Sequence, residues 1–315
     1  MNIYFLKMND KVKGYALAAI AAATYGMNPL FALPLYGEGL SPASVLFFRY
    51  LLAIPLLGGM LALRGRSFRL QRHEVLPLVA MGVLMALSSL CLFESYHYME
   101  AGIASTILFV YPIMVALIMT LAFKERLTVQ TMLCIGMALG GIGLLYKGSD
   151  GATLSLTGTL FVLMSALTYA IYIVGVNKSV LKDVATLKVT FYVIVFGLLV
   201  FLGLFAYGEP LRVPDGGHWY LWGNLLALAA FPTAISFLCT TKAIHYIGST
   251  PTAILGALEP ATAIFFGITV FGETLTLRDA VGLALIIVAV TLVIAGGRVA
   301  RPLLRLRKLF PRIRW

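Results

Sequence analysis

Residues 254 to 266 read "ILGALEPATAIFF", so that an acid and a helix breaker, Glu259 and Pro260, stand side by side among apolar and small residues. An ionised acid deep in hydrocarbon costs ~3 kcal/mol or more, so Glu259 should face protein or a watery cavity. It would serve there as a solute-binding or proton-carrying group, or as a structural acid tied to Arg49 or to a tyrosine hydroxyl. Pro260 has no N–H to donate and crowds the carbonyl of Gly256, so a kink is expected that leaves carbonyls free for ligand or water. Arg49, in "SPASVLFFRYLLA", either snorkels to the headgroups or holds a carboxylate through two parallel N–H bonds.

Glu94 and His97 stand three apart, on one face of a helix. Metal binding would need further ligands at a recognised spacing, and none is found. His97 reads as a polar helix end, while the deeper Glu94 remains a candidate. Tyr25, Asn28, Ser88, Ser89, Tyr111, Tyr169, Tyr172 and Ser236 supply rings, an amide and hydroxyls to otherwise apolar runs. Such groups orient a solute in an apolar pocket, or bond one helix to the next. The pairs Tyr25 with Asn28 and Tyr169 with Tyr172 share helix faces and carry more weight.

The 315 residues are 60% hydrophobic and only 12% charged, where a soluble domain carries about 25% charged residues. The mean hydropathy is +0.94. Bilayer is the solvent that this composition asks for. A net charge of +11 would point to nucleic acid in a soluble protein. Here the basic residues fall between apolar runs, so they read as topology signals and lipid contacts, with no nucleic-acid partner expected. Cys91, Cys134 and Cys239 lie inside apolar runs without a C-x-x-C pair and read as free buried thiols. The N-terminus reads as an uncleaved first membrane helix.

Ten apolar segments can be cut, at roughly 14–33, 43–63, 75–98, 102–123, 128–147, 157–177, 186–207, 218–241, 246–271 and 276–297. Each is close to the ~20 residues needed to cross about 30 Å of hydrocarbon. Ten spans place both termini on one side. That side collects Lys7, Lys11, Lys13, Arg64, Arg66, Arg69, Arg72, Lys124, Arg126, Lys178, Lys182, Lys188, Lys242 and every Lys and Arg of the C-terminal tail. The other side has Lys147, Arg212 and Arg278. Positive residues stay cytoplasmic, so both termini are expected inside, in the cytoplasmic membrane. The tail, residues 298–315, reads as a basic segment lying on anionic lipid.

The chain also repeats itself. A shift of 148 lays Pro112 on Pro260 and Glu125–Thr128 on Glu273–Thr276, and a shift of 144 lays Gly14 and Tyr25 on Gly158 and Tyr169. Two five-helix halves result, about 1–148 and 149–297. Because five is odd, the second half must enter the bilayer from the opposite face, and a solute site is expected near the midplane between the halves. Gly136 and Gly140 form a G-x-x-x-G that admits close helix contact, first within a monomer, otherwise in a homodimer.

"ATYGMNPLF" in span one, "SPASVLFFRYLLA" with Arg49, "LEP" in span nine and the repeated "P…E-x-LT" of spans four and nine carry a resemblance. Over residues 14 to 297 the chain is similar to the EamA-type, ten-helix branch of the drug/metabolite transporter superfamily. The resemblance implies an all-α membrane protein that exports or facilitates the passage of metabolites, often amino acids. It also implies that spans five and ten are peripheral while the other eight surround a central cavity. Span one departs in carrying Tyr25 where tryptophan is common.

The expected activity is alternating-access transport of a small amphipathic metabolite, without a cofactor. No G-x-x-x-x-G-K-[ST] is present to bind ATP, and no H-E-x-x-H or G-x-S-x-G marks an enzyme. Nothing resembles a channel filter.

Overall fold

The computed structural model describes residues 2–65, 67–124, 129–146, 155–247, 252, 255, 256, 258–278 and 280–292. Among these the regular structure is helical throughout. The helices are α1 (Asn2–Gly26), α2 (Asn28–Gly37), α3 (Pro42–Leu63), α4 (Arg72–Ser95), α5 (Ala101–Leu108), α6 (Tyr111–Phe123), α7 (Val129–Tyr146), α8 (Leu156–Lys178), α9 (Thr186–Ala206), α10 (Trp219–Leu228), α11 (Ser236–Ile247) and α12 (Leu258–Phe271). A further apolar helix, α13, covers Ala280–Leu292.

Among the described residues, seven stretches are long and apolar enough to cross a membrane: Asp10–Gly37, Pro42–Leu63, Arg72–Ser95, Ala101–Phe123, Leu156–Lys178, Thr186–Ala206 and Trp219–Thr240. Met132–Leu144, α12 and α13 are shorter apolar helices, and they fall on the expected spans five, nine and ten. The chain is thus an all-α membrane protein of ten helical spans. The expected basic tail lies outside the described residues.

Several spans start where side chains cap them. Ser41 accepts the Ser44 N–H ahead of α3, Gln71 and Glu74 form a reciprocal capping box on α4, and Ser155 caps α8. Four spans are broken part-way along. Span one breaks at Met27, just before Asn28–Pro29, and span four between Leu108 and Tyr111–Pro112. Span eight widens into a π-turn at Ala229–Ile235 around Pro232. Span nine turns at Gly256, two residues before Leu258, and the Glu259 N–H closes on the Gly256 carbonyl at 2.9 Å. Proline removes a ladder donor in each case, and freed carbonyls inside a membrane need protein or a cavity around them.

Packing places α4 against α8 and α9, α3 against α9, α1 against α11 and α12, α5 against α12, and α6 against α8. The closest approaches run over glycine. A Cβ on Gly26 would strike the Glu259 carbonyl and Thr262 Cβ, so only hydrogen lets α1 lie on α12 here. In α7, Gly136 and Gly140 meet nothing within 4 Å, so the G-x-x-x-G makes no contact within the described monomer. The glycine that packs there is Gly141, whose Cβ would stand 2.7 Å from the Gly282 carbonyl of the segment that forms α13.

Candidate functional site

A cavity of about 550 Å³ lies between α1, α6, α8, α11 and the start of α12. Alanines 18, 21 and 22, Val115, Ala116, Ile173 and Phe237 make most of its wall apolar. Its polar groups are Tyr25, Tyr111, Tyr169, Ser236, Thr240, Thr252 and Glu259. From Tyr25, Tyr111, Tyr169 and Glu259 the lining runs along every helix toward the bundle end at which α1 begins. It goes back to Ala18, on to Ala116, Ile173 and Thr240, and back to Thr252. The three tyrosines and the acid therefore form the head of the cavity, at its end away from the start of α1.

The tyrosines are fixed by one another. Tyr111 meets Tyr169 edge-on, with centroids 4.8 Å apart and planes at 74°, and Tyr169 stacks on Tyr172 at 5.9 Å. Ser236 donates to the Ala21 carbonyl at 2.9 Å and ties α11 to α1, while Thr240 donates back to the Ser236 carbonyl. Neither the Glu259 carboxylate nor the hydroxyls of Tyr25, Tyr111 and Tyr169 have a hydrogen-bond or ion-pair partner among the described residues. These are the groups that a solute can engage.

Five of the residues singled out in the sequence thus share one cavity: Tyr25, Tyr111, Tyr169, Ser236 and Glu259. The others lie elsewhere, Ser89 among them, 2.9 Å from the Tyr50 hydroxyl. Arg49 is buried, donates from Nε to Thr233 Oγ1 at 3.1 Å and lies 5.5 Å from the centre of the Phe93 ring. It forms no ion pair with Glu259, so that acid is not tied down by Arg49. Thr233 in turn donates to the Leu228 carbonyl across the π-turn, so Arg49 pins α3 to that turn. Ser88 and Ser165 donate to each other's carbonyls at 3.0 and 2.7 Å, a reciprocal clip between α4 and α8. Asn28 is buried with its Oδ1 unpartnered, away from the cavity wall. Tyr172 supports Tyr169 from behind. Glu94 is half-buried outside the cavity, and its neighbour His97 stacks on Tyr36 at 4.8 Å. Among the described residues no cluster of metal-binding side chains occurs.

Three lining features carry no sequence signal of their own: the alanine stripe of α1, Phe237 and Thr252. Small and apolar residues are ordinary in any membrane helix, and only the neighbouring helices turn them into a wall.

A bundle of apolar helices, broken near the head of an internal cavity, defines a polytopic membrane protein built around a solute-sized space. The EamA-like transporter family matches the chain twice, over residues 12–147 and 156–295. A transporter of Archaeoglobus fulgidus is 30% identical over 280 residues, covering 88% of this chain and 94% of its own. The threonine/homoserine exporter RhtA of Escherichia coli K12 is 28% identical over 221 residues, covering 70% of this chain and 72% of its own. One solved crystal structure superposes with a TM-score of 0.67 at 18% identity, covering 92% of this chain and 98% of its own, which shows the shared fold. The chain belongs to the EamA-like transporter family.

Proposed function

We propose that the protein carries a small amphipathic metabolite, an amino acid or a related amine-bearing solute, outward across the cytoplasmic membrane. The observation that carries this reading is Glu259, an acid without a hydrogen-bond or ion-pair partner among the described residues, at the head of an apolar cavity and beside three tyrosine rings whose hydroxyls likewise have none among them. A carboxylate and aromatic faces suit an ammonium group. The alanines, Val115, Ile173 and Phe237 suit the apolar body of the solute. The likeness to RhtA, named as a threonine/homoserine exporter, supports amino acids as the solute class.

The mechanism in this reading is alternating access between two inverted halves, about 1–148 and 149–297, with both termini cytoplasmic and the solute bound near the midplane. The cavity lies on the termini's side of the head residues, so this conformer takes its solute from the cytoplasm. The protein acts as a carrier rather than an enzyme, as a monomer or a homodimer in the lipid.

The test is exchange in liposomes that contain only this protein. Labelled threonine on one side and a panel of unlabelled amino acids and amines on the other should give saturable counterflow. If no member of the panel exchanges, the reading fails. If a panel compound is chemically converted, an enzyme takes its place.

A further inference from the structure

The E-x-L-T that repeats after spans four and nine is described only in its second copy, which lies outside the cavity lining. In its second copy the backbone turns left-handed at Gly272, with φ +68, and the Glu273 N–H closes on the Gly267 carbonyl at 3.0 Å. This reversal lays the Glu273 carboxylate over the end of α12, on the bare surface of Gly267, where a Cβ would collide with it. From there Oε1 accepts the Ala101 N–H at 3.0 Å, and the carboxylate also accepts from the Gly102 N–H. Both amides belong to the first turn of α5, whose N–H groups have no partner within their own helix and favour an anion. Glycine at 102 lets the two elements close up, since its Cβ would stand 3.1 Å from Ile264 and 3.2 Å from Glu273 Oε2.

In the first copy of the motif, Lys124 also has a left-handed backbone, with φ 56, one repeat of 148 residues before Gly272. A left-handed residue therefore ends both spans. The glutamate that follows Lys124 lies outside the described residues.

The position of Glu273 matters as much as its bonds. The carboxylate joins the second half of the chain to the first, at the bundle end away from the cavity. At that end Tyr220 also donates to Glu38 at 2.6 Å, and Arg212 donates to the Gly39 carbonyl at 2.6 Å. These are exposed contacts of mobile-length side chains, worth little singly. The Glu273 bonds are partly buried, charge-assisted and directed at backbone.

We infer that Glu273 is a latch. Its carboxylate, held by the amides of Ala101 and Gly102, keeps this end of the bundle shut while the cavity is accessible from the other, and it must let go before the cavity can open here. The inference rests on the alternating-access reading above. Release leaves no orphaned group, because the carboxylate and both amides pass to water. That makes the contact reversible at small net cost, as a gate requires.

The test uses the full chain in lipid nanodiscs, with Cys91, Cys134 and Cys239 replaced. One reporter is Ser105→Cys, buried one turn into α5 beyond the latch, and the other is Thr240→Cys in the cavity wall. Maleimide should label Ser105→Cys slowly and Thr240→Cys quickly. Glu273→Ala should speed the first about tenfold and slow the second, the reciprocal shift expected when one state loses a charge-assisted bond. Glu273→Gln, which keeps one acceptor oxygen, should label Ser105→Cys more slowly than Glu273→Ala does. Should Glu273→Ala fail to fold, Gly267→Ala displaces the carboxylate while leaving it in the chain. Unchanged labelling in folded variants overturns the latch, as does equal acceleration at both reporters, which would mean general loosening. If the reciprocal shift holds while wild-type vesicles exchange no solute, the latch stands and the solute assignment falls.

Discussion

Tyr111 and Glu259 occupy equivalent places in the two halves, 148 residues apart, and both face the head of the same cavity. A proline follows each, Pro112 and Pro260, and a helix break precedes each. The kink is therefore symmetric while the chemistry is not. One half presents a phenol and the other a carboxylate, so among the described residues the cavity has a single acid, and that acid has no hydrogen-bond or ion-pair partner among them.

This arrangement makes Glu259→Gln informative. An unpaired acid at this depth is a cost to the fold of about 3 kcal/mol when ionised. Its removal should leave the thermal midpoint in detergent unchanged or raised. Solute counterflow should fall about tenfold or more, the loss expected when a charge-assisted contact to the solute disappears. A lowered midpoint with intact counterflow would make Glu259 a structural acid.

Arg49 should behave in the opposite way. It touches Thr233 and Phe93 and not the cavity, so Arg49→Met should lower stability without changing the concentration of solute that half-saturates exchange. Thr233→Val should cost less alone. In a double-mutant cycle the two should couple by about 1 kcal/mol. Additive losses would remove the pin between α3 and the π-turn. A changed half-saturation would return Arg49 to the solute site.

The number of spans was legible in the sequence because hydropathy is a local property. So were the breaks at Pro112 and Pro260, since proline acts on its own helix. The roles of Arg49 and Ser88 were not legible. Thr233 and Ser165, their partners, sit 184 and 77 residues away, and nothing near either residue announces them. Gly272 shows a subtler gap. Charge topology accounts for the loss of the lysine found at 124, and the backbone adds a second reason, since a left-handed turn suits glycine best.

The glycines give a prediction of sign. Gly26→Ala drives a methyl into the Glu259 carbonyl and should reduce both folded yield and exchange. Gly141→Ala should do the same to yield alone, by parting α7 from the segment that forms α13. Gly136→Ala meets nothing within 4 Å and should be neutral or stabilising by up to about 1 kcal/mol, the ordinary gain for alanine in a helix interior. Thermal unfolding of the three variants side by side checks the order. A strongly destabilised Gly136→Ala would show that this face carries a contact, most simply with a second copy in the membrane.

The latch should respond to pH on its own face. Partial burial pushes the Glu273 carboxyl above the usual carboxylate range, and the amides of Ala101 and Gly102 offset this only in part. Latched Glu273 therefore binds its proton more tightly than a released, hydrated glutamate, whose pKa is about 4.3. By linkage, acid favours the latched state, and the advantage is lost as pH rises through the raised value. Labelling of Ser105→Cys, normalised at each pH to an exposed reference thiol because maleimide attacks the thiolate, should accordingly quicken as pH rises from that of an ordinary glutamate, and Glu273→Gln should flatten the normalised profile. Glu100 is a second acid lining the same crevice, so Glu100→Gln is the control, and it should leave the step in place. A step that survives in Glu273→Gln and vanishes in Glu100→Gln would move the pH response to Glu100. Labelling that slows with rising pH would show that the amide bonds outweigh burial at Glu273.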